Sequence, residues 1–389
     1  MDPRAAVTIA DLRRLALRRM PRFVGGPLER GAGDGGGVRA NVDAFRRHRL
    51  VPRHMVDVTP VEPGTSLFGR AWALPFGISA VGTSGIYRRD ADRLLAQAAH
   101  EAGVPFILSG SASASIEQIA RVAPDNVWFQ LYAAREARLT DDMVRRARDA
   151  GVRTLVLTVD YPVPPRNEAI ERSGVSLAVG PTLRTWPGVI LDAMLHPRWS
   201  LDHVTGGGMP RLDSWAAYAP PGSDARGIAR YYVQHWLGNH VWAEVERVRA
   251  LWAGSLVVKG IAHPDDALQA VRRGADAVTV SNHGGNRLDC QAASLDVLAA
   301  VRAALPAQTP VLFDGGIRRG TDLVIARALG ASFAFVGRAS LYGVAAAGLP
   351  GARRALAILQ SELAYAMAMI GRRTWASINA GCLAGGLAC

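Results

Sequence analysis

The sequence predicts a single (β/α)8 TIM barrel of the α/β class, from two features. First, eight short apolar runs rich in β-branched residues alternate with helical patterns, each too uniformly apolar for a sheet with one wet face. Second, three consecutive runs end in glycine beside polar or charged residues: Val280-Ser281-Asn282-His283-Gly284-Gly285, Phe313-Asp314-Gly315-Gly316-Ile317-Arg318 and Val336-Gly337-Arg338. A barrel builds its active site in this way, from side chains at the C-terminal ends of several strands.

In chain order the strands are expected at Leu74–Ser79, Pro105–Ser109, Val127–Tyr132, Thr154–Asp160, Ser255–Gly260, Ala277–Asn282, Pro310–Gly316 and Phe333–Arg338. Helical periodicity covers Asp90–Ala102, Thr140–Ala150, Pro264–Arg273, Ser294–Ala304 and Gly320–Leu329. Alternating strand and helix imply parallel pairing, and a count of eight implies closure. Residues 1–389 are read as one domain, with 1–70 as an N-terminal cover segment and 176–235 as an insertion over the barrel mouth. About a hundred residues separate Asp160 from Lys259, far more than an ordinary connection. Within that excursion Trp186–Leu195 is expected to be a lid or a packed insertion, with a membrane-surface patch as the alternative. Thr8–Met20 reads as a helix with a Thr8/Asp11 cap. Arg353–Ile370 reads as an amphipathic helix and Ala380–Cys389 as a loose tail.

Composition removes several classes. No apolar run reaches eighteen residues, so no helix is expected to span a membrane, and the start of the chain lacks a signal-peptide pattern. Cys290, Cys382 and Cys389 show no metal or redox spacing, so no metal is expected and the cytoplasm is the simplest compartment. The net charge of +12 comes from scattered arginines without a basic block. A solvated surface is expected rather than a nucleic-acid site, and peripheral membrane contact stays open.

The strand ends carry the chemistry. Ser109 closes strand two; Gln130 and Tyr132, two apart and on one face, close strand three. Thr158 and Asp160 close strand four, Lys259 strand five, Ser281 and His283 strand six. The turns Gly315-Gly316 and Gly337, with Arg318 and Arg338, suggest a phosphate site after strands seven and eight. Lys259 lies across the barrel from that site, where a cation would stabilise a reduced, anionic flavin. Gln130, Thr158 and Ser109 have the donor and acceptor types of a pyrimidine edge. No G-x-G-x-x-G follows a strand, so FMN is expected rather than a dinucleotide. His283 is then the base and Asp160 the carboxylate that stabilises the imidazolium, with Tyr132 as a hydrogen-bond donor to the substrate oxygen.

With these motifs, the chain resembles the FMN-dependent α-hydroxy acid oxidoreductases, the family of glycolate oxidase, lactate oxidase and (S)-mandelate dehydrogenase. The resemblance is carried by Trp128-Phe129-Gln130-Leu131-Tyr132, Leu157-Thr158-Val159-Asp160, Val258-Lys259-Gly260, Ser281-Asn282-His283-Gly284-Gly285 and Asp314-Gly315-Gly316-Ile317-Arg318-Arg319-Gly320. The segment Leu195-His196-Pro197-Arg198-Trp199-Ser200-Leu201-Asp202 is most similar to the mandelate dehydrogenase branch. The resemblance implies catalytic roles for His283, Asp160 and Tyr132. It implies flavin contacts from Ala80, Ser109, Gln130, Thr158, Lys259 and Ser281, and a ribityl-phosphate site from Asp314, Gly315, Gly316, Arg318, Gly337 and Arg338. It further implies oxidation of a mandelate-like 2-hydroxy acid to the 2-oxo acid, oxygen or a quinone as acceptor, and a homo-oligomer, a tetramer in this family.

Three departures stand out. The family's substrate arginine after strand six falls at Asn286, with Arg287 next; its arginine seven residues after the strand-four aspartate falls at Asn167, with Arg166 just before. The family's N-terminal substrate tyrosine falls at Pro27. Asparagine can hydrogen-bond an amide but cannot neutralise a carboxylate. Two expectations follow. Either Arg166 and Arg287 fill the gaps, or the substrate is an α-hydroxy or α-amino carbonyl compound whose acid is masked as an amide, ester, peptide or carrier conjugate.

Overall fold

The computed structural model describes residues 5–163, 168–173, 183–238 and 241–385. Eight parallel strands form a closed barrel in sequence order: β1 (Phe76–Ile78), β2 (Phe106–Leu108), β3 (Val127–Leu131), β4 (Thr154–Thr158), β5 (Ser255–Ile261), β6 (Ala277–Val280), β7 (Val311–Asp314) and β8 (Phe333–Val336), with β8 pairing back onto β1. Each lies inside one of the eight apolar runs, apart from one further residue, Ile261, on β5. The longest register joins β4 to β5, from Thr154 opposite Ser255 to Thr158 opposite Lys259. Beyond it β5 bulges at Gly260.

Helices clothe the barrel because both sheet faces are apolar. Ala91–Glu101, Pro264–Arg272, Ser294–Ala304 and Gly320–Ala328 fall where periodicity places them. Ala137–Asp149 begins three residues before the expected Thr140. The Thr140 hydroxyl accepts from Ala134 N and ties the preceding loop rather than capping the helix. The Thr8/Asp11 capping box is present, with each side chain bonded to the other residue's backbone. The C-terminal helix runs Leu349–Met369, starting at a left-handed Gly348. The tail is ordered as far as it is described, contrary to expectation. Cys382 and Leu383 are buried, and Val51 N donates to Cys382 O at 2.9 Å.

The strand period divides the barrel interior into levels. Trp128, Val156, Val257, Ala277, Leu312, Phe333 and Phe335 fill the N-terminal end. A hairpin of Thr65–Leu67 and Arg70–Trp72 closes that end with Leu67 and Trp72. Two residues further along, the same inward faces present Gln130, Thr158, Lys259, Thr279 and Asp314, all buried. The floor is therefore dry and the mouth polar.

The insertion is pinned to the mouth by indoles. Trp199 Nε1 donates to Ile86 O and Trp215 Nε1 to Gly110 O, both at 2.8 Å. Trp236 packs edge-on to Tyr132. The first insertion helix differs from its expected role as a lid or packed element. Trp186–Leu195 has no buried residue, and Met194, Leu195, Leu201 and Val204 are 71%, 69%, 66% and 77% exposed. The packing is done by the tryptophans around it, and this apolar face is left exposed. No helix of the described residues is long and apolar enough to cross a membrane.

Candidate active site

Above the dry floor the polar ring is held by one buried ion pair. Lys259 Nζ donates to Ser281 Oγ at 2.8 Å and lies 3.0 Å from Asp314 Oδ2. Asp314 also accepts from Ser79 Oγ and from Ser281 Oγ. Burial alone would favour neutral lysine, but Asp314 and then Asp160 outweigh it and hold Lys259 above its ordinary pKa.

Beside Lys259 lies an incomplete hydrogen-bonding edge. Gln130 Oε1 accepts from Ser109 Oγ at 3.2 Å and Gly110 N at 3.1 Å. Gln130 Nε2 and Thr158 Oγ1 are buried without a partner among the described residues. Each such orphan costs about 1–3 kcal/mol, so the site is built for a ligand with acceptors along one edge. Ala80 is half-buried against the inner cluster. These groups fit the polar edge of an isoalloxazine.

The other end fits a phosphate. Gly315 and Gly316 have φ of +119° and +81°, and a Cβ on Gly316 would lie 2.1 Å from Asn41 O. Arg318 has no carboxylate partner among the described residues; Nη1 donates to Ile317 O. Arg338 departs from expectation. Its side chain donates to Leu28 O, Gly284 O and Asn286 Oδ1, tying the N-terminal cover to the loop after β6. What it offers a phosphate is backbone N–H at the start of helix Arg338–Ala347, beside Gly337.

His283 sits in that loop with φ +55°, a left-handed conformation that costs a β-carbon residue roughly 1–3 kcal/mol. Its surroundings impose it. His283 N donates to Ser281 Oγ, Gly285 N to Asn282 Oδ1, and Asn282 exchanges amide hydrogen bonds with Asn41 at 2.7 and 3.0 Å. The imidazole Nδ1 lies 3.0 and 3.1 Å from the two Asp160 oxygens. Gly260, at φ +105°, makes room for that carboxylate, because a Cβ there would lie 2.7 Å from Asp160 Cβ. Burial pushes the Asp160 pKa up, but His283, Lys259 and Arg287 together hold it well below the usual carboxylate range. The pair therefore fixes Nδ1 as a donor and leaves Nε2 to take a proton.

Around the imidazole stands an aromatic wall that spacing did not reveal. Tyr161 lies edge-on to His283 at 5.1 Å, and Tyr132, Tyr161 and Trp236 meet one another at 4.9–5.1 Å. Burial raises the Tyr132 pKa to about 12, against the pull of Arg287, so its hydroxyl remains a donor. Arg287 stacks on Tyr161 with its guanidinium carbon 3.3 Å from the ring centre. Asn286, expected at the substrate, instead bonds Arg338, and Pro27 lies within helix Arg22–Arg30. Arg166 and Asn167 fall outside the described residues.

A closed barrel with a flavin-type edge, a phosphate cradle and a carboxylate-held histidine at one mouth defines a flavin oxidoreductase. Residues 16–385 match the family described as FMN-dependent dehydrogenase, and the chain belongs to it, with FMN as cofactor. It is 36% identical to (S)-mandelate dehydrogenase of Pseudomonas putida over 93% of this chain and 90% of that one. It is also 36% identical to L-lactate dehydrogenase of Caulobacter vibrioides over 95% of each. Among solved structures, that of the monotopic membrane protein (S)-mandelate dehydrogenase superposes with a TM-score of 0.92 at 36% identity, covering 98% of this chain and 99% of that one. An arginine-to-leucine variant of mandelate oxidase with 2-hydroxy-phenylacetamide gives 0.80 at 33% identity, covering 96% and 97%.

The orphaned edge yields an expectation of opposite signs. Thr158→Val removes a buried hydroxyl that lacks a partner among the described residues. Without FMN the variant should keep or gain stability in urea, while FMN binds several-fold more weakly, by roughly 1 kcal/mol. Fluorescence titration of FMN into the refolded variant measures the second effect.

Proposed function

We propose that this chain oxidises a 2-hydroxy acid of the mandelate or lactate type to the 2-oxo acid. The observation that carries the reading is the contact of His283 Nδ1 with both Asp160 oxygens. Nε2 of His283 takes the substrate's hydroxyl proton. Held along the Gln130, Thr158 and Lys259 edge, FMN would supply the two-electron acceptor for the hydrogen of C2, while the hydroxyl proton goes to His283. The Asp160 carboxylate stabilises the imidazolium that forms, without itself gaining a proton. Tyr132 donates to the substrate oxygen, and the Tyr132, Tyr161 and Trp236 rings suit an aryl side chain.

A second reading, an amide or other masked acid, is favoured by the engagement of Asn286 with Arg338. It is favoured too by the mandelate oxidase variant that lost an arginine and is described with an amide.

The bare apolar face of Trp186–Leu195, flanked by exposed Arg184 and Arg198, supports peripheral attachment to an anionic bilayer, with the electrons passing to an acceptor there. Interfacial helices bind by combining apolar insertion with basic residues at headgroup level.

His283→Gln and Asp160→Asn should each retain FMN but slow its reduction by mandelate roughly 10²–10⁴-fold, read in anaerobic stopped flow; reduction at the wild-type rate would remove the assigned base. Leu191→Glu with Leu195→Glu should abolish flotation with phosphatidylglycerol vesicles while turnover with a soluble dye acceptor stays normal. Unchanged flotation would place the membrane contact elsewhere.

A further inference from the structure

Resting on the oxidation reading, we infer that Arg287 is the anchor for a free substrate carboxylate, taking over one residue later the task that position 286 has given up. The loop geometry makes the exchange. Gly284 and Gly285 turn the chain through φ of +65° and +77°. Asn286 then faces the N-terminal cover, where its Oδ1 accepts from Arg338. The next side chain turns the other way, onto the aromatic wall.

There the Arg287 guanidinium lies flat on Tyr161, the ring that also meets His283 and Tyr132. It is thus a neighbour of the proposed base and of the proposed hydroxyl donor. Its bonding is incomplete. Nη1 donates to Asn286 O at 3.2 Å, while Nε is buried with no partner among the described residues. No carboxylate lies within ion-pair distance of it among those residues, since Asp160 is held by His283 and Asp314 by Lys259.

A guanidinium acting only as structure is normally paired when buried, because an uncompensated charge in the interior is costly. Stacking on a tyrosine offsets roughly 0.5–2 kcal/mol of that and leaves Nε–H without an acceptor among the described residues. Burial also holds the Arg287 pKa down to about 10, against Tyr132 and Asp160, which pull it up. The Lys259–Asp314 and His283–Asp160 pairs each have a carboxylate of their own. Arg318 belongs to the phosphate end, so beside the base Arg287 is the cation without a carboxylate among the described residues, and that side of the pocket accepts one more negative charge. A planar carboxylate meets a guanidinium through two parallel hydrogen bonds, which an amide or ester cannot match. The substrate class is therefore the free 2-hydroxy acid, oriented with its carboxylate at Arg287 and its C2 oxygen toward His283 and Tyr132.

The test uses the FMN-loaded full chain, with benzoylformate and mandelamide as probes in calorimetric titration and mandelate in steady-state kinetics. Wild type should bind benzoylformate and prefer mandelate strongly over mandelamide. Arg287→Met should weaken benzoylformate at least roughly 30-fold, the loss expected when one partner of a buried charge pair is removed. It should leave mandelamide binding little changed and raise KM for mandelate more than it lowers kcat. Arg287→Lys should recover part of the carboxylate affinity. If Arg287→Met fails to fold, Arg287→Gln and the acid-against-amide comparison in wild type carry the same decision. Equal binding of acid and amide by wild type, or unchanged benzoylformate affinity in either variant, overturns the assignment. If no 2-hydroxy acid reduces the flavin while benzoylformate binding still depends on Arg287, the oxidation reading fails and the anchor stands.

Discussion

The site turns on one contact, the Asp160 carboxylate against His283 Nδ1. Neither residue reaches it by regular structure. His283 must adopt a left-handed backbone, and Asp160 lies two residues past the end of β4 in space that Gly260 vacates at the β5 bulge. A network from Ser281 to Asn282 and across to Asn41 holds the histidine there. Strain of this kind persists only where the surroundings over-determine it, and here those surroundings include the N-terminal cover. The segment before the barrel is thus part of what aims the imidazole.

Much of this was legible before any fold was known, because strand periodicity is two. Gln130, Thr158 and Lys259 had to share a face with Trp128, Val156 and Val257 two residues below them, which made those apolar residues the floor. Contacts made by loops were not legible. Nothing in the spacing places Trp236 beside Tyr161, seventy-five positions earlier. Nor could spacing say which of Asn286 and Arg287 looks inward, since that depends on two left-handed glycines and on where Arg338 ends. Nor does its position after a glycine turn show that the Arg338 side chain is long enough to reach Leu28 O and Gly284 O on other segments.

The insertion shows the same division of labour on a larger scale. Three tryptophans bind it to the segments after β1, β2 and β3, so the wall of the pocket and the exposed apolar helix belong to one connected piece. The aromatic wall gives the site shape, whereas Lys259, Asp160 and Arg287 give it charge. The two properties come from different parts of the chain, wall largely from insertion and turns, charge from strand ends.

The most direct measurement is the rate of flavin reduction by mandelate carrying deuterium at C2, in wild type and in His283→Gln. The account predicts a clear primary isotope effect in wild type, because the C2–H bond breaks as His283 takes the hydroxyl proton. It predicts a much slower reduction in the variant that still binds FMN and benzoylformate. Reduction by the variant at the wild-type rate, with the same isotope effect, would show that another group removes the proton.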